Sequence, residues 1–215
     1  MKTSKTPECQ LLDGSQFFQD TQDGFTPVER TPVPADYVIG PGDELQIRAW
    51  GMVDIDFRAV VDRNGQINLP KIGTIGVARL KASEIEDHLR GQIGKVFKSF
   101  SLNVTLGQLR TIQIFVVGQA ARPGAYTVSG LSTLINAVFQ SGGPGPNGSL
   151  RKVQLKRGNA VVTELDLYDF IIRGDKSKDV RLLPGDVIVY HPVGAQVALL
   201  GALENPAIYE ISPAA

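Results

Sequence analysis

Alternating apolar and polar positions predict strands through the first half of the chain. The alternation is clear over residues 45–49 and again over 102–106, and it indicates strands with one buried face. Two further apolar segments, 58–61 and 66–69, flank a turn that contains Asn64-Gly65. Because Asn-Gly between such segments is a strong hairpin signal, we expect these two segments to pair with each other.

A helical period replaces the alternation in three places. A helix is predicted over 83–97 from apolar residues at helical spacing: Ile85, Leu89, Ile93, Val96 and Phe97. Ser83 and Glu86 have the spacing of a capping box at its start. A shorter helix is predicted over 132–139, ahead of two glycines that would stop it, and a helical turn is predicted over 167–172.

The second half of the chain also contains more strands than helices. Strands are predicted over 112–116 and 187–189, and a hairpin is predicted from 153–155 and 161–162 around the turn at 157–159. Regular alternation of strands with helices is absent from the pattern. The predicted class is therefore α+β and not a parallel doubly wound sheet.

Two stretches of the chain are similar to each other. Residues 116–128 align with 199–211, so that Gly118 falls on Gly201, Pro123 on Pro206 and Tyr126 on Tyr209. Each copy predicts a strand, a Gly-Pro turn and a second strand. Repetition of a small sheet module favours a binding or assembly scaffold over a single catalytic pocket. Because the second copy stops after its first hairpin, we expect the chain to be a fragment.

The composition is typical of a turn-rich globular protein. The 215 residues include 23 Gly and 13 Pro, and 42% are hydrophobic. Lys plus Arg and Asp plus Glu both number 22, without a dense basic run, which argues against a nucleic-acid partner. No apolar run approaches the ~20 residues of a membrane helix, and residues 1–10 are too polar for a signal peptide. The single cysteine, Cys9, excludes an intrachain disulfide and is interpreted as a free thiol.

The order of the motifs resembles a known family. Tyr37-Val38-Ile39-Gly40-Pro41-Gly42-Asp43-Glu44-Leu45, with Asp62, Gly65-Gln66-Ile67, Leu69-Pro70 and Ile72-Gly73, resembles the polysaccharide export domain of Wza-type outer-membrane proteins. The following block resembles their soluble-ligand-binding β-grasp (SLBB) module through Val117-Gly118, Pro123-Gly124, Tyr126, Thr133-Leu134, Gly142-Gly143, Asp166-Leu167-Tyr168-Asp169 and Leu183-Pro184-Gly185-Asp186-Val187-Ile188. Two positions depart from the family pattern: Gln119 stands where an acidic residue is frequent, and Arg79 stands near an expected glycine.

The resemblance implies a domain order within the α+β class. A small mixed-sheet polysaccharide export domain is expected over 37–110 and an SLBB β-grasp domain over 111–192. Residues 193–215 would form the first hairpin of a truncated second SLBB repeat. Residues 1–36, which are rich in proline and lack periodicity, are expected to form an extended or partly disordered arm.

The resemblance also implies a function. The chain would be the periplasmic part of a non-enzymatic outer-membrane channel in a Gram-negative bacterium, a ring of identical subunits that conducts capsular polysaccharide or exopolysaccharide. Implied partners are sister subunits, the polymer and an inner-membrane polysaccharide co-polymerase or tyrosine autokinase. We expect the family's signal sequence and membrane-spanning helix to lie outside this sequence. The alternative is a β-grasp module that binds a soluble glycan or small ligand without forming a pore; a polysaccharide lyase or transferase is a third hypothesis.

Few residues combine into a reactive site. Residues 143–148 match G-x-G-x-x-G, but two prolines and a following strand argue against a dinucleotide loop. Asp54 and Asp56 could hold a metal ion, and solvated acids are the favoured interpretation. His88 and His191 have no partner at a useful spacing. No catalytic residue, metal ligand or cofactor is therefore predicted.

Two pairs of equivalent residues remain as candidates. Asp43 and Asp186 both follow Pro-Gly and are predicted to cap turns through their carboxylates. Tyr126 and Tyr209 follow the repeated Gly-Pro turns, where packing or assembly is favoured over glycan stacking. Together with two neighbouring residues, they form the predicted set of assembly or glycan contacts: Arg122, Tyr126, Asn205 and Tyr209.

Overall fold

The computed structural model describes residues 18, 32–52, 54–199 and 207–212. The chain divides into two compact units. We call Pro27–Thr111 with Ser129–Leu131 the N-terminal unit, and Met1–Thr26, Ile112–Val128 and Ser132–Ala215 the C-terminal unit. The described residues form mixed sheets with a few short helices, which confirms the predicted α+β class.

The N-terminal unit contains a three-stranded antiparallel sheet, a separate hairpin and one helix. The sheet order is β2-β1-β5, from β1 (Glu44–Gly51), β2 (Ile55–Val60) and β5 (Phe100–Leu106). The hairpin consists of β3 (Gln66–Leu69) and β4 (Gly73–Gly76), and the helix is α1 (Ile85–Ile93). As the alternation predicts, Leu45, Ile47 and Ala49 face the core of this unit, together with Ile85, Leu89 and Ile93 of α1.

The hairpin predicted between 58–61 and 66–69 is wrong in its strand pairing. The turn itself forms, because the Asp62 carboxylate accepts the N–H groups of Asn64 and Gln66 at 2.9 Å. However, β2 pairs with β1, and β3 pairs with β4. The carbonyl of Gly65 accepts the N–H groups of both residues 77 and 78, at 2.9 Å each, and this joins the segment to the end of β4. Gly65 has φ 77°, a conformation that glycine adopts without strain.

The helix predicted over 83–97 forms, but it is shorter at both ends. It begins after Glu84, and Ser83 and Glu86 do not form the predicted capping box. Instead, Glu84 accepts the N–H of Lys81, and Glu86 pairs with Arg90 one turn along the helix. The C-terminal end at Ile93 leads into turns, so the predicted apolar stripe ends there: Val96 is exposed and Phe97 is partly buried.

The C-terminal unit is built around a five-stranded mixed sheet in the order β7-β6-β10-β8-β9. Its strands are β6 (Thr111–Gly118), β7 (Gly124–Ser129), β8 (Gly148–Arg157), β9 (Ala160–Leu165) and β10 (Val187–Pro192). The neighbouring strands β6 and β10 run parallel to each other. The strand β10 pairs with β8, and β8 pairs with β9, in antiparallel fashion. The described part of this unit also contains two helices, α2 (Leu134–Gln140) and α3 (Leu167–Arg173), and a final hairpin.

The helix α2 has the well-formed N-terminus that α1 lacks. Thr133 and Asn136 form a capping box, in which each side chain accepts the other residue's backbone N–H. At the other end, Gly142 has φ 80° and lets the chain leave the helix, as predicted from the Gly-Gly pair. Phe139 of this helix packs on Phe18, with ring centroids 5.1 Å apart, so Phe18 belongs to the core of the C-terminal unit.

The repeat predicted at the C-terminus has matching strands in both copies. β11 (Gln196–Leu199) and β12 (Ala207–Glu210) pair in antiparallel fashion, with Val197 opposite Tyr209. The start of β12 falls on the start of β7 at the offset of the sequence repeat. The connecting turn, which includes the predicted contact Asn205, lies outside the described residues, as do Cys9 and most of the predicted N-terminal arm. None of the helices in the described part of the chain combines the length and the apolarity that crossing a bilayer requires.

Candidate functional site

The first Pro-Gly-Asp turn holds a fully buried carboxylate. Asp43 is 0% exposed, and its oxygens accept hydrogen bonds from the Tyr37 hydroxyl (2.8 Å) and the Gly40 N–H (2.8 Å). Arg110 contributes two more donors, its backbone N–H (2.9 Å) and its guanidinium Nη1 (2.8 Å). The same guanidinium lies 5.5 Å from the Tyr37 ring centroid. Four donors on one carboxylate explain how this charge is tolerated in the interior of the N-terminal unit.

The second Pro-Gly-Asp turn repeats this arrangement in the C-terminal unit. Asp186 is also 0% exposed, and its Oδ2 accepts the N–H of Leu183 (2.8 Å). Arg157 approaches it with two nitrogens, Nε on Oδ1 (2.8 Å) and Nη2 on Oδ2 (2.9 Å). The hydrogen bonds to Asp186 raise the pKa of the Arg157 guanidinium above its ordinary value.

The two turns share one local geometry. In each, the aspartate N–H donates to the carbonyl three residues earlier, and that residue's N–H donates back to the aspartate Oδ2. Gly42 (φ 93°) and Gly185 (φ 83°) supply the positive φ that a Pro-Gly turn of type II requires. The predicted capping role of both aspartates is confirmed. Their arginine partners were not predicted, because they come from distant strands or loops and no local pattern marks them.

The predicted contact residues of the first hairpin interact within their own unit. The Tyr126 hydroxyl donates to the Arg122 carbonyl at 2.7 Å. The Arg122 guanidinium donates to the carbonyls of Gln140 (Nη2, 3.1 Å) and Ser141 (Nε, 3.4 Å), at the C-terminal end of α2. A cation placed there satisfies free carbonyl groups and complements the helix dipole. The Arg122 side chain therefore joins the first hairpin to α2, whereas the Tyr126 hydroxyl bond lies within the hairpin itself.

The final hairpin is attached to the sheet of the C-terminal unit through Glu210, a residue that the sequence analysis missed. Its carboxylate is 6% exposed and accepts the Ser149 hydroxyl (2.7 Å) and the N–H groups of Leu150 (2.9 Å) and Gly194 (2.9 Å). Arg151 Nε donates to the Glu210 carbonyl at 2.7 Å, and its Nη1 lies 2.8 Å from the Asp166 carboxylate. The neighbouring predicted contact, Tyr209, is half-buried in β12.

An open groove of about 490 Å³ lies on the N-terminal unit. It is formed by three described segments: 39–41 before β1, 63–66 around the start of β3, and 76–79 at the end of β4. Among the described residues that line it, Arg63 and Arg79 are charged and none is acidic. Arg79 has φ 70°, a left-handed conformation that is uncommon for a residue other than glycine. The sequence indicated only that Arg79 departs from an expected glycine.

The remaining sequence candidates have ordinary structural roles. The loop 143–148 leads into the strand β8 and not into a helix, and its Gly145 N–H donates to the Gln119 carbonyl, so it lacks the geometry of a dinucleotide loop. Asp56 forms an exposed ion pair with Arg48 at 3.5 Å. His191 Nε2 lies 2.9 Å from the Gln154 side-chain oxygen. Among the described residues, His, Cys, Asp and Glu form no group of three that could hold a metal ion.

Comparison with known families gives two matches in sequence order. A model described as polysaccharide biosynthesis/export protein matches residues 31–107, and a model of the SLBB domain matches residues 113–165. The first description names polysaccharide biosynthesis and export, and the second names a domain type. The first match includes the Asp43 turn and the groove, and the second includes the Tyr126 hairpin and α2.

Two kinds of curated relatives are similar to most of the chain. The polysialic acid transport protein KpsD of Escherichia coli is 30% identical over 205 residues, which cover 94% of this chain and 35% of that protein. The EPS I polysaccharide export outer membrane protein EpsA of Ralstonia nicotianae is 24% identical over 196 residues, covering 79% of this chain and 51% of that protein. The chain thus spans between a third and about half of the length of these relatives.

Proposed function

The chain belongs to the family of polysaccharide export proteins, and we propose from this membership that it takes part in moving a polysaccharide out of a bacterial cell. The observation that carries the proposal is the order of the two family matches, an export domain followed by an SLBB domain. Similarity to KpsD, which is named as a polysialic acid transport protein, extends over 94% of the chain and supports the same function.

The mechanism that we propose is passive. Identical subunits close a ring, and the polymer slides through a hydrated lumen without being cleaved. Weak contacts suit this task, because a pore must let its cargo leave as readily as it lets the cargo enter. The repeated strand-turn-strand units support the ring, since small sheet modules in series provide surfaces for contacts between subunits.

The proposed location is the periplasmic side of the outer membrane. EpsA is named as an outer membrane protein, which supports this location. The partners in the proposal are sister subunits, the polysaccharide, and an inner-membrane co-polymerase or tyrosine autokinase that delivers the polymer.

Four residues remain proposed contacts with a neighbouring subunit or with glycan: Arg122, Tyr126, Asn205 and Tyr209. For the first two, the internal hydrogen bonds have a consequence for experiments. Because Arg122 donates to carbonyls at the end of α2, its substitution is expected to lower stability as well as assembly. Tyr126→Phe removes only the hydroxyl and keeps the ring, so it separates the hydrogen bond from any contact made by the aromatic face.

Deletion of the native gene that encodes the chain tests the export function. Surface polysaccharide is expected to fall, and polymer is expected to accumulate within the cell envelope, because synthesis continues while exit is blocked. Reintroduction of the gene should restore surface polymer. Unchanged surface polymer in the deletion strain would contradict the proposal.

The oligomeric state in solution tests the ring. Sedimentation of the purified native protein should show a closed oligomer of defined size. A monomer that nevertheless shows saturable binding of an oligosaccharide would favour the alternative, a β-grasp module that captures a glycan without forming a pore.

A further inference from the structure

We propose that the groove lined by Arg63 and Arg79 binds carboxylate groups of an anionic polysaccharide, an inference that rests on the proposed export function. The described residues that line the groove all belong to the N-terminal unit, and they include two guanidinium groups and no acidic group. Its electrostatic potential therefore favours anions, although the chain as a whole has equal numbers of basic and acidic residues.

Both guanidinium groups are available for a ligand. Arg63 and Arg79 are exposed, and neither side chain makes a hydrogen bond or ion pair with the other described residues. This distinguishes them from Arg110 in the same unit, whose guanidinium is committed to Asp43. The nearest acid in sequence, Asp62, is also committed, because its Oδ1 accepts the two N–H groups that close the turn beside Arg63.

The backbone conformation of Arg79 supports a role for its side chain. Its φ of 70° is unfavourable for any residue with a Cβ, and glycine would remove that strain. The Arg79 N–H donates to the Ile39 carbonyl at 3.0 Å, so a hydrogen bond to a distant segment of the unit holds Arg79 in this conformation. An arginine at a position suited to glycine therefore places a cation at the rim of the groove at the expense of backbone strain.

The rest of the lining is suited to a sugar chain. The side-chain amides of Asn64 and Gln66 are exposed beside Arg63 and offer both donors and acceptors for hydroxyl groups. The lining also contains the buried apolar residues Ile39 and Val77, and Gly76, where a Cβ would meet no atom within 4 Å, so a ligand can approach the backbone closely at Gly76. A bidentate guanidinium pairs more specifically with a planar carboxylate than with a neutral hydroxyl.

Exposure of the two arginines also sets the strength of the proposed site. Charge pairs in contact with water are weak and are screened by salt, so we expect a low affinity that falls as ionic strength rises. Low affinity is compatible with a polymer that must slide past the site. The groove would therefore select for anionic polymer without retaining it.

Titration of the purified native protein, monitored by NMR of backbone amides, tests the inference. The probes are an α-linked oligomer of sialic acid, a neutral maltooligosaccharide of the same length, and inorganic phosphate. We expect saturable shifts at residues 63–66 and 76–79 with the sialic acid oligomer, at least about fivefold weaker binding of the neutral sugar, and a fall in affinity with added salt. Equal response to phosphate at matched charge would reduce the groove to a general anion site and would overturn the assignment to a glycan.

Two variants and one matched control identify the groups responsible. Arg79→Gly removes the cation at a position where glycine is unstrained, so the protein should remain folded, and Arg63→Ala removes the second cation from an exposed turn. Each change is expected to weaken binding of the sialic acid oligomer about three- to tenfold. The control Arg58→Ala, at an exposed position of β2 outside the groove, should leave binding unchanged. Wild-type affinity in both groove variants would overturn the inference.

Export by cells separates this inference from the proposed function. In the deletion strain, the native gene should restore surface polymer, whereas the gene with both Arg63→Ala and Arg79→Gly should restore less of an anionic polymer. If the double variant restores export in full, the groove assignment fails and the export function stands. If the native gene itself restores nothing, the export function fails.

Discussion

At the scale of single residues, the buried aspartates of the Pro-Gly-Asp turns are expected to contribute to stability through their hydrogen bonds. Asp43→Asn keeps the size of the side chain but replaces one acceptor oxygen with an NH₂ group that faces existing donors. We expect the free energy of unfolding to fall by about 2–4 kcal/mol, because the partly buried Arg110 guanidinium and the buried Gly40 N–H lose their acceptor. Urea titration of the purified protein measures this change.

An exposed ion pair in the same unit provides the control. Asp56 and Arg48 are 3.5 Å apart, with side chains 74% and 65% exposed. Asp56→Asn should therefore change the free energy of unfolding by less than about 0.5 kcal/mol. If both substitutions lowered the free energy of unfolding by similar amounts, burial and the four donors would not explain the contribution of Asp43 to stability.

Tyr190 gives the C-terminal unit a dependence on alkaline pH. Its side chain is 1% exposed, and burial raises the pKa of its phenol above the ordinary value of 10.0. Below pH 10 the Tyr190 hydroxyl keeps its proton in both the folded and the unfolded state, so it does not make the free energy of unfolding depend on pH. Above pH 10 the unfolded state loses the proton first, and the free energy of unfolding should fall by about 1.4 kcal/mol per pH unit.

Tyr190→Phe isolates that slope. The Tyr190 hydroxyl lies 3.4 Å from the Ser141 hydroxyl, which also donates to the Val138 carbonyl, so its removal should cost less than about 1 kcal/mol at neutral pH. Chemical unfolding at several values between pH 9 and 11.5 should show a steeper decline for the wild type than for the variant. If the free energy of unfolding fell equally with pH in the wild type and the variant, the buried Tyr190 hydroxyl would not be the cause of the decline.

At the scale of elements, the helices α1 and α2 differ in how they begin. Thr133 caps α2 and exchanges hydrogen bonds with Asn136, whereas Ser83 makes no such bond ahead of α1. Thr133→Ala is expected to lower the free energy of unfolding by about 1 kcal/mol, and Ser83→Ala by less than about 0.5 kcal/mol. Thermal or urea unfolding of the two variants measures both. If both variants lost the same free energy of unfolding, Ser83 would cap α1 as its sequence pattern predicts.

The elements also show what the sequence could predict. Strands such as β1 and β6 and the buried stripe of α1 were predicted correctly, because burial imposes a local period of two or of 3.6 residues. The pairing of β3 was predicted wrongly. The Gly65 carbonyl accepts N–H groups from the residues that follow β4, and β3 pairs with β4 instead of with the preceding strand. A turn signal fixes the turn, whereas the partner strand depends on contacts with other segments.

The same difference explains which parts of the candidate site could be predicted. Asp43 was identified from its Pro-Gly-Asp turn, but its arginine lies 67 residues away in sequence. The groove likewise combines three short segments from different parts of the N-terminal unit. Glu210 was missed for another reason: it occupies an ordinary strand position, and only the fold shows that its carboxylate is buried.

At the scale of the whole molecule, the repeat raises the question of how one module is joined to the next. Within the C-terminal unit, β11 and β12 form a hairpin at the second copy of the sequence repeat, and Glu210 binds this hairpin to the beginning of β8. The Glu210 backbone contributes as well, since its carbonyl accepts Arg151 Nε and its N–H donates to the Tyr168 hydroxyl. For the proposed ring, such a joint would fix the orientation of successive modules and therefore the direction of the lumen.

Glu210→Ala should loosen the joint without unfolding the rest of the C-terminal unit. The loss of hydrogen bonds from Ser149, Leu150 and Gly194 is expected to reduce the free energy of local opening by about 2 kcal/mol, so that amides of β12 exchange about thirtyfold faster. Hydrogen exchange followed by mass spectrometry measures this, with peptides from β10 as the internal reference. Glu164→Ala, an exposed glutamate of β9, is the control and should leave β12 protected. If β12 stays protected in Glu210→Ala, apolar packing of the hairpin holds the joint and the carboxylate does not.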